Sequence, residues 1–298
     1  MVSVIYIAST GRSGSTLLER VLSQHPQIWA GGELYLTWYR GFMRNEICSC
    51  MVPFNDCEYW QKIKASFLRR VAQKYDIRYI NELIYSHIRY RFFYPKFRIK
   101  DEILKDLADI FYNLYESILE VSGRNYIIDS SKTPLLLPIL AKHKKINLKV
   151  IHLIRECEAV AYSWEKRKIK IPGTNRFMPR YNFIKTALVW KLTHKLISKY
   201  SKDLNLKTYK LNYLDFVRKP KESLLNLLNH LDIPYDDTFL KIFISSNIVN
   251  LNSEYHIISG NPIRFQKKII KITPDLDWIY KMPKWKKIIL KIICKIPI

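Results

Sequence analysis

The sequence predicts an α/β fold in which a central parallel sheet is flanked by helices. Three observations predict it. Short β-branched runs alternate with segments of helical periodicity along the chain. The first run passes through a glycine- and serine-rich turn directly into an amphipathic helix. Polar residues, among them Arg12, Glu33, Ser130, Lys132 and Arg155, stand where the strands end, and in an open parallel sheet ligands sit beyond the carboxyl ends of the strands.

The turn is the most informative stretch. Val2, Val4, Ile5, Tyr6 and Ile7 read as a buried strand, and Leu17, Leu18, Val21 and Leu22 give the following helix its apolar side. Between them lie Gly11, Arg12, Ser13, Gly14, Ser15 and Thr16. Small residues let the backbone close on an oxyanion, the amides point inward, and the helix dipole adds partial positive charge. The turn is an anion cradle, P-loop-NTPase-like in outline. A magnesium–triphosphate loop requires a lysine after its last glycine. Here Ser15 follows Gly14, and the cation is Arg12, inside the loop.

Further along, QIWAGGE (residues 27–33) reads as a short strand ending in a Gly-Gly bend with Glu33 at its tip. Residues 35–60 read as an irregular, substrate-facing insertion, and residues 61–122 as a helical insertion. Basic and aromatic residues interleave over 89–100, a pattern that can stack on nucleic acid but more often packs its aromatics into a core. A strand over 126–129, a turn over 130–134 and a helix over 135–142 follow. Then come a strand over 148–154, helices after Arg155 and over 180–201, a strand over 207–213 and a Pro-started helix over 220–231. No Ser/Pro/Gly-rich linker interrupts this alternation, so residues 1–298 read as a single domain.

Fifty Lys+Arg against 26 Asp+Glu give a formal charge of +24, which favours anionic partners. A hydrophobic content of 48% excludes disorder. No apolar run reaches the roughly 18 residues of a membrane span, and the N-terminus lacks the basic region and cleavage site of a secretory signal; a cytoplasmic location is the expectation. Cys48, Cys50 and Cys57 cluster, whereas Cys157 and Cys294 stand alone. The cluster offers three thiols for zinc but lacks the C-x-x-C pairing and an evident fourth ligand, so structural or reduced cysteines are expected.

Gly11 to Thr16 after the first strand, with Arg155 and Ser163 eight residues apart after a later one, resembles the sulfotransferase family. The likeness is to its bacterial and Golgi-type branch, which carries an arginine in the loop. Asp129-Ser130-Ser131-Lys132 and Ser259-Gly260-Asn261-Pro262-Ile263-Arg264 match the same pattern in order, so the resemblance runs from residue 11 to residue 264. It implies transfer of the sulfonyl group of 3′-phosphoadenosine 5′-phosphosulfate to a hydroxyl or amine by in-line displacement, with no metal required. By the family pattern, Gly11, Arg12, Ser13, Gly14, Ser15 and Thr16 hold the 5′-phosphosulfate. Arg155 and Ser163 take the 3′-phosphate, and Gly260, Asn261 and Arg264 close over the adenosine end. Guanidinium suits phosphate because its planar donors bind two oxygens together.

Glu33 is the candidate general base, a carboxylate at a strand end near the loop, with His25, His152 and His256 as alternatives. His152 sits inside a strand and reads as a core residue. Lys132 and Arg12 are placed to neutralise charge on the leaving nucleotide. The acceptor class, whether glycan, lipid, peptide or small alcohol, is not encoded in any motif. The competing readings are a P-loop nucleotide-dependent kinase, which the missing lysine opposes, and a non-enzymatic basic module binding nucleic acid or a membrane surface. Nucleic acid is not an expected partner. The tail over 278–298 has six lysines and no acidic residue, with Trp285, Ile288, Ile289, Ile292 and Ile293 at helical spacing. It reads first as a helix docked on the domain and second as a peripheral membrane contact.

Overall fold

The computed structural model describes residues 1–71, 74–89, 99–166, 170–171, 177–251, 255–265 and 268–295. Five strands, Val2–Ala8 (β1), Ile28–Ala30 (β2), Tyr126–Lys132 (β3), Ile146–Ile154 (β4) and Lys207–Asn212 (β5), form one sheet in the order β2-β3-β1-β4-β5. Every neighbouring pair in it is parallel. Ile248–Leu251 (β6) and Lys268–Lys271 (β7) form a separate antiparallel pair.

The helices are, in chain order, Ser15–Leu22 (α1), Glu58–Val71 (α2), Ile77–Ile84 (α3), Asp101–Ser122 (α4), Leu136–Lys142 (α5) and Cys157–Glu165 (α6). Phe183–Asp203 (α7), Tyr213–Arg218 (α8), Pro220–His230 (α9), Asp237–Leu240 (α10), Asp277–Lys281 (α11) and Lys284–Cys294 (α12) follow. The helical insertion is α2, α3 and α4, between β2 and β3.

The sheet is covered on both faces, which is why β1 reads as an uninterrupted apolar run. Val4, Tyr6 and Ala8 enter a core with α2, α4 and α5. Ile5 and Ile7 enter another with α1, α8 and α9. Parallel strands with covered faces leave their carboxyl ends as the open edge of the layer, and the polar residues singled out above lie along it.

Several boundaries differ from the sequence reading for identifiable reasons. Ser130, Ser131 and Lys132 are not a turn but the end of β3. Lys132 accepts a hydrogen bond from Ser9 N (3.1 Å), and Ser130 N donates to Gly32 O (2.8 Å). The β1–β3 register slips between Tyr6 and Ala8, which absorbs the extra residue. β2 ends at Ala30 because Gly32 turns the chain at φ 68°. Segment 35–60 is partly helical: Trp38–Met43 forms a π-helical turn, with Trp38, Phe54 and Trp60 buried. Four-residue strands such as β6 and β7 carry too little alternation to be seen in sequence. Residues 90–98, the heart of the basic–aromatic stretch, lie outside the described residues.

The C-terminal helix docks. Leu290 is buried, and Ile289, Ile293 and Met282 pack against Val160, Ala161, Phe183, Ala187 and Trp190 of α6 and α7. Lys286 pairs with Glu165 at 2.9 Å. Cys157 and Cys294, which stand alone in sequence, form a disulfide across 137 positions that ties α12 to α6. The outer face of α12 leaves Trp285, Ile288 and Ile292 more than half exposed, and the membrane reading rests on that face alone. No helix among the described residues is long and apolar enough to cross a membrane. Deleting residues 284–298 uncovers the α6–α7 surface and should cost about 3–5 kcal/mol, roughly 5–10 °C in melting temperature, with loss of solubility. An unchanged melting curve would show that the docked face contributes nothing.

Candidate active site

A cavity of about 750 Å³ opens beyond the carboxyl ends of β1, β3 and β4. Gly11, Arg12, Gly14, Ser15 and Thr16 of the first loop line it, with Glu33 and Lys132 on one side. Arg155, Ser163, Gly260 and Asn261 line the other. Eleven of the thirteen residues singled out from sequence thus share one cavity. The other two do not reach it. Ser13 is buried under the loop, and Arg264 is 2% exposed, its guanidinium donating to Gly260 O at 2.8 Å. Burial and the Arg40 charge lower the Arg264 pKa to about 10.

The loop owes its shape to two glycines. A Cβ on Gly14, where φ is 92°, would meet the Tyr213 ring at 2.3 Å. On Gly11 it would meet the Trp164 ring at 2.6 Å. Arg12 also adopts a left-handed φ of 68°, which places its side chain over the Trp164 ring at 5.1 Å. Thr16 Oγ1 accepts from Asn261 N at 3.4 Å, so the start of α1 and the 259–264 loop approach each other across the cradle.

Arg155 does two jobs. Its NH1 donates to the Arg12 carbonyl at 3.0 Å, fixing the loop from behind. Its NH2 faces Asp275 at 3.4 Å, and its guanidinium lies over Tyr213 at 4.7 Å. Trp190 Nε1 donates to Arg155 O at 2.9 Å and sets the start of α6. Burial, and next the positive charge of Arg155, lower the Arg12 pKa. The Nε atoms of both arginines are buried with no hydrogen-bond partner among the described residues.

Glu33 and Lys132 form an ion pair at 2.8 Å, with side chains 19% and 13% exposed. Burial alone would raise the Glu33 pKa, but Lys132, Arg40 and Arg264 outweigh it and hold the carboxyl below its ordinary value. Lys132 also donates to Ser130 O at 2.9 Å and sits at φ 69°, a conformation that only a specific fit sustains in a residue with a Cβ. The fit comes from the buried Asp129, which accepts from Ser131 N (2.8 Å) and Tyr115 OH (2.6 Å).

The histidines are elsewhere. His25 bonds Pro234 O at 2.8 Å. His152 bonds His194 at 2.8 Å behind the sheet, where burial drives the two pKa values down to about 4 and about 3. His256 lies beside Cys57. None of the three lines the cavity, so Glu33 stands as the base candidate there.

Residues 4–237 match the profile described as the sulfotransferase family. The chain belongs to that family. It is 22% identical over 242 residues to a candidate protein-tyrosine sulfotransferase of Caenorhabditis briggsae, covering 80% of this chain and 68% of that protein. The sulfotransferase domain of the Synechococcus PCC 7002 olefin synthase superposes with a TM-score of 0.54 at 19% identity, over 99% of this chain and 95% of the other. The sulfotransferase domain of the curacin biosynthetic pathway gives 0.51 at 18%, over 98% and 96%. These structures establish the fold, a P-loop-NTPase-like parallel sheet.

Sequence reasoning missed three residues that shape the sulfotransferase site. Asp275, the carboxylate facing Arg155, lies in no motif. Tyr213, under Gly14, looks like an ordinary strand end. Glu19 hides on the apolar side of α1, where it is 1% exposed and accepts from Gly32 N (2.6 Å) and Ser130 Oγ (2.7 Å). It ties α1 to the bend that carries Glu33 and to the end of β3. Its only sequence signal is an acid at the position of an apolar helix stripe. Burial raises its pKa from 4.5 to about 7. A carboxyl that holds its proton more tightly when folded contributes full stability below about pH 4.5 and loses it as pH rises through about 7. Between about pH 4.5 and pH 8 the Glu19→Gln variant should therefore gain on the wild type by up to roughly 3 kcal/mol, measured by denaturation at each pH. Parallel pH profiles would show that Glu19 does not titrate in the folded state.

Proposed function

We propose that this sulfotransferase takes 3′-phosphoadenosine 5′-phosphosulfate as donor and transfers its sulfonyl group to a hydroxyl acceptor. One observation carries the reading. Two guanidiniums, Arg155 buried and Arg12 half-buried, share a glycine-walled cradle at a strand end, each with a buried Nε that has no hydrogen-bond partner among the described residues. Like charges so placed favour a multiply charged anion. The lysine of a magnesium–triphosphate loop is absent, which argues against a kinase.

The donor supplies an activated sulfonyl group with a nucleotide phosphate as leaving group. The loop amides, Arg12, Ser15 and Thr16 would hold its 5′ end. Arg155 and Ser163 would hold the 3′-phosphate, for which Asp275 now stands in as the anionic partner of Arg155. Gly260 and Asn261 would border the adenosine side. Lys132 would balance charge on the leaving oxygen.

Glu33 is ionised at neutral pH and able to accept the acceptor's proton. Its low pKa makes it a weak base while Lys132 is its partner. Engagement of Lys132 by a phosphate removes that cation and raises the basicity of Glu33 when an acceptor must be deprotonated. The rest of the cavity is lined by Leu36, Ile88, Met178 and Val189 beside Arg40 and Lys185, which suits an acceptor with an apolar body and an acidic group. A phenolic hydroxyl on an acidic peptide fits this description, as do lipid and glycan alcohols that carry acidic groups.

The direct test is incubation with radiolabelled donor and a panel of these acceptors. Label appearing in one of them supports the reading, and no transfer to any, despite donor binding, counts against it. Glu33→Gln cannot accept a proton and should lower turnover by about 10²–10⁴-fold with donor affinity unchanged; near-normal turnover would remove Glu33 as the base. Arg155→Ala should weaken donor binding by about 2–4 kcal/mol while affecting an analogue without the 3′-phosphate far less. Equal losses for both ligands would mean that Arg155 only braces the loop.

A further inference from the structure

The cysteine cluster finds its fourth member in a residue distant in sequence. Cys48, Cys50, Cys57 and His256 bring their ligand atoms within 4.8 Å of one another, Cys48 and Cys57 buried and the other two half-buried. Cys50 and Cys57 sulfurs are 3.7 Å apart, and Cys57 and Cys48 sulfurs 3.9 Å. His256 Nδ1 lies 3.8 Å from Cys48 Sγ and 3.3 Å from Cys57 Sγ. A tetrahedral zinc ion bound at Zn–S of about 2.3 Å and Zn–N of about 2.0 Å has S···S edges of about 3.8 Å and S···N edges of about 3.5 Å. These four contacts sit within a few tenths of an ångström of those edges.

The surroundings hold the ligands in this arrangement. The His256 ring stacks on Tyr59 at 4.6 Å with an 8° interplanar angle, and its carbonyl accepts from Trp60 Nε1 at 2.9 Å. Ser49 stitches the two chain segments together. Its N donates to Ile257 O (3.0 Å), its Oγ donates to Tyr255 O (2.6 Å), and it accepts from Ile257 N (2.8 Å). Two alternative roles fit less well. A disulfide within the cluster would leave one thiol and the imidazole converging on nothing, and none of the four residues lines the donor cavity.

We infer that Cys48, Cys50, Cys57 and His256 form a structural zinc site. Three thiolates and an imidazole complete a tetrahedron, so no position is open for catalysis, and soft sulfur ligands in that geometry select zinc over magnesium or calcium. The site joins the segment after the Trp38–Met43 turn to the one leading into Gly260 and Asn261. It thereby pins the loop that meets Thr16 at the cradle. It stands independently of the reading of the donor, since its ligands belong to neither cradle nor base.

The test is metal analysis of the full chain purified without chelator, paired with thiol titration. The expected content is about one zinc per chain, with the three thiols slow to react until a chelator removes the metal. Cys50→Ser, at the half-buried edge, should keep the circular dichroism of the wild type while zinc affinity falls at least about tenfold. Should the variant fail to fold, cobalt(II) added to chelator-treated wild type gives a second readout: intense visible absorption with a sulfur-to-cobalt charge-transfer band is expected. A folded chain that carries less than about 0.1 equivalents of zinc after growth in zinc-supplemented medium, or cobalt without the charge-transfer band, overturns the assignment. Zinc retained at full affinity in Cys50→Ser removes Cys50 from the ligand set and overturns it equally.

Discussion

The site depends on one hydrogen bond, from the Arg155 guanidinium to the Arg12 carbonyl. It makes the cation at the end of β4 responsible for the shape of the loop at the end of β1. It braces the backbone of Arg12, whose left-handed φ sets the side chain over Trp164, and it brings two repelling guanidiniums close. The sheet supplies the rest of the constraint. β1 and β4 are direct neighbours, and Ser9 Oγ donates to Leu153 O at 2.5 Å, so the two strand ends cannot separate. Positive charge is thus desolvated by packing and held against its own repulsion, a standing cost that an anion relieves.

A second constraint acts on the opposite side of the cavity. Glu19, buried in α1, holds Gly32 and Ser130 together, and these bracket Glu33 and Lys132. Asp129 does the same for Ser131. Two buried carboxyls therefore position Glu33 and Lys132 without themselves lining the cavity. Both resist ionisation, Asp129 with a pKa raised by burial to about 6, so the scaffold under the reacting groups is itself sensitive to pH.

The sequence revealed most where chemistry and local geometry coincide. Gly11 to Thr16 was legible because few sequences place glycine, serine and arginine together between a strand and a helix. The DSSK and 259–264 stretches were legible through family resemblance. Arg264 shows the limit of that route, since its motif position is kept while its side chain turns inward to Gly260. Asp275 and Tyr213 were invisible because their roles arise from packing between elements far apart in the chain. The place of His256 is hidden because spacing along the chain does not reveal that residues 48–57 and 255–257 are neighbours. The docked tail was legible in its amphipathic period, but its disulfide partner was not, for the same reason.

The central claim is that the Arg12–Arg155 cradle selects a nucleotide by its 3′-phosphate. Calorimetric titration of the wild-type chain with 3′,5′-adenosine bisphosphate and with 5′-AMP tests it most directly, because neither ligand requires an acceptor. The account predicts binding of the bisphosphate at least about 100-fold tighter, roughly 3 kcal/mol for an extra charge-assisted phosphate contact. Equal affinities for the two ligands would contradict it.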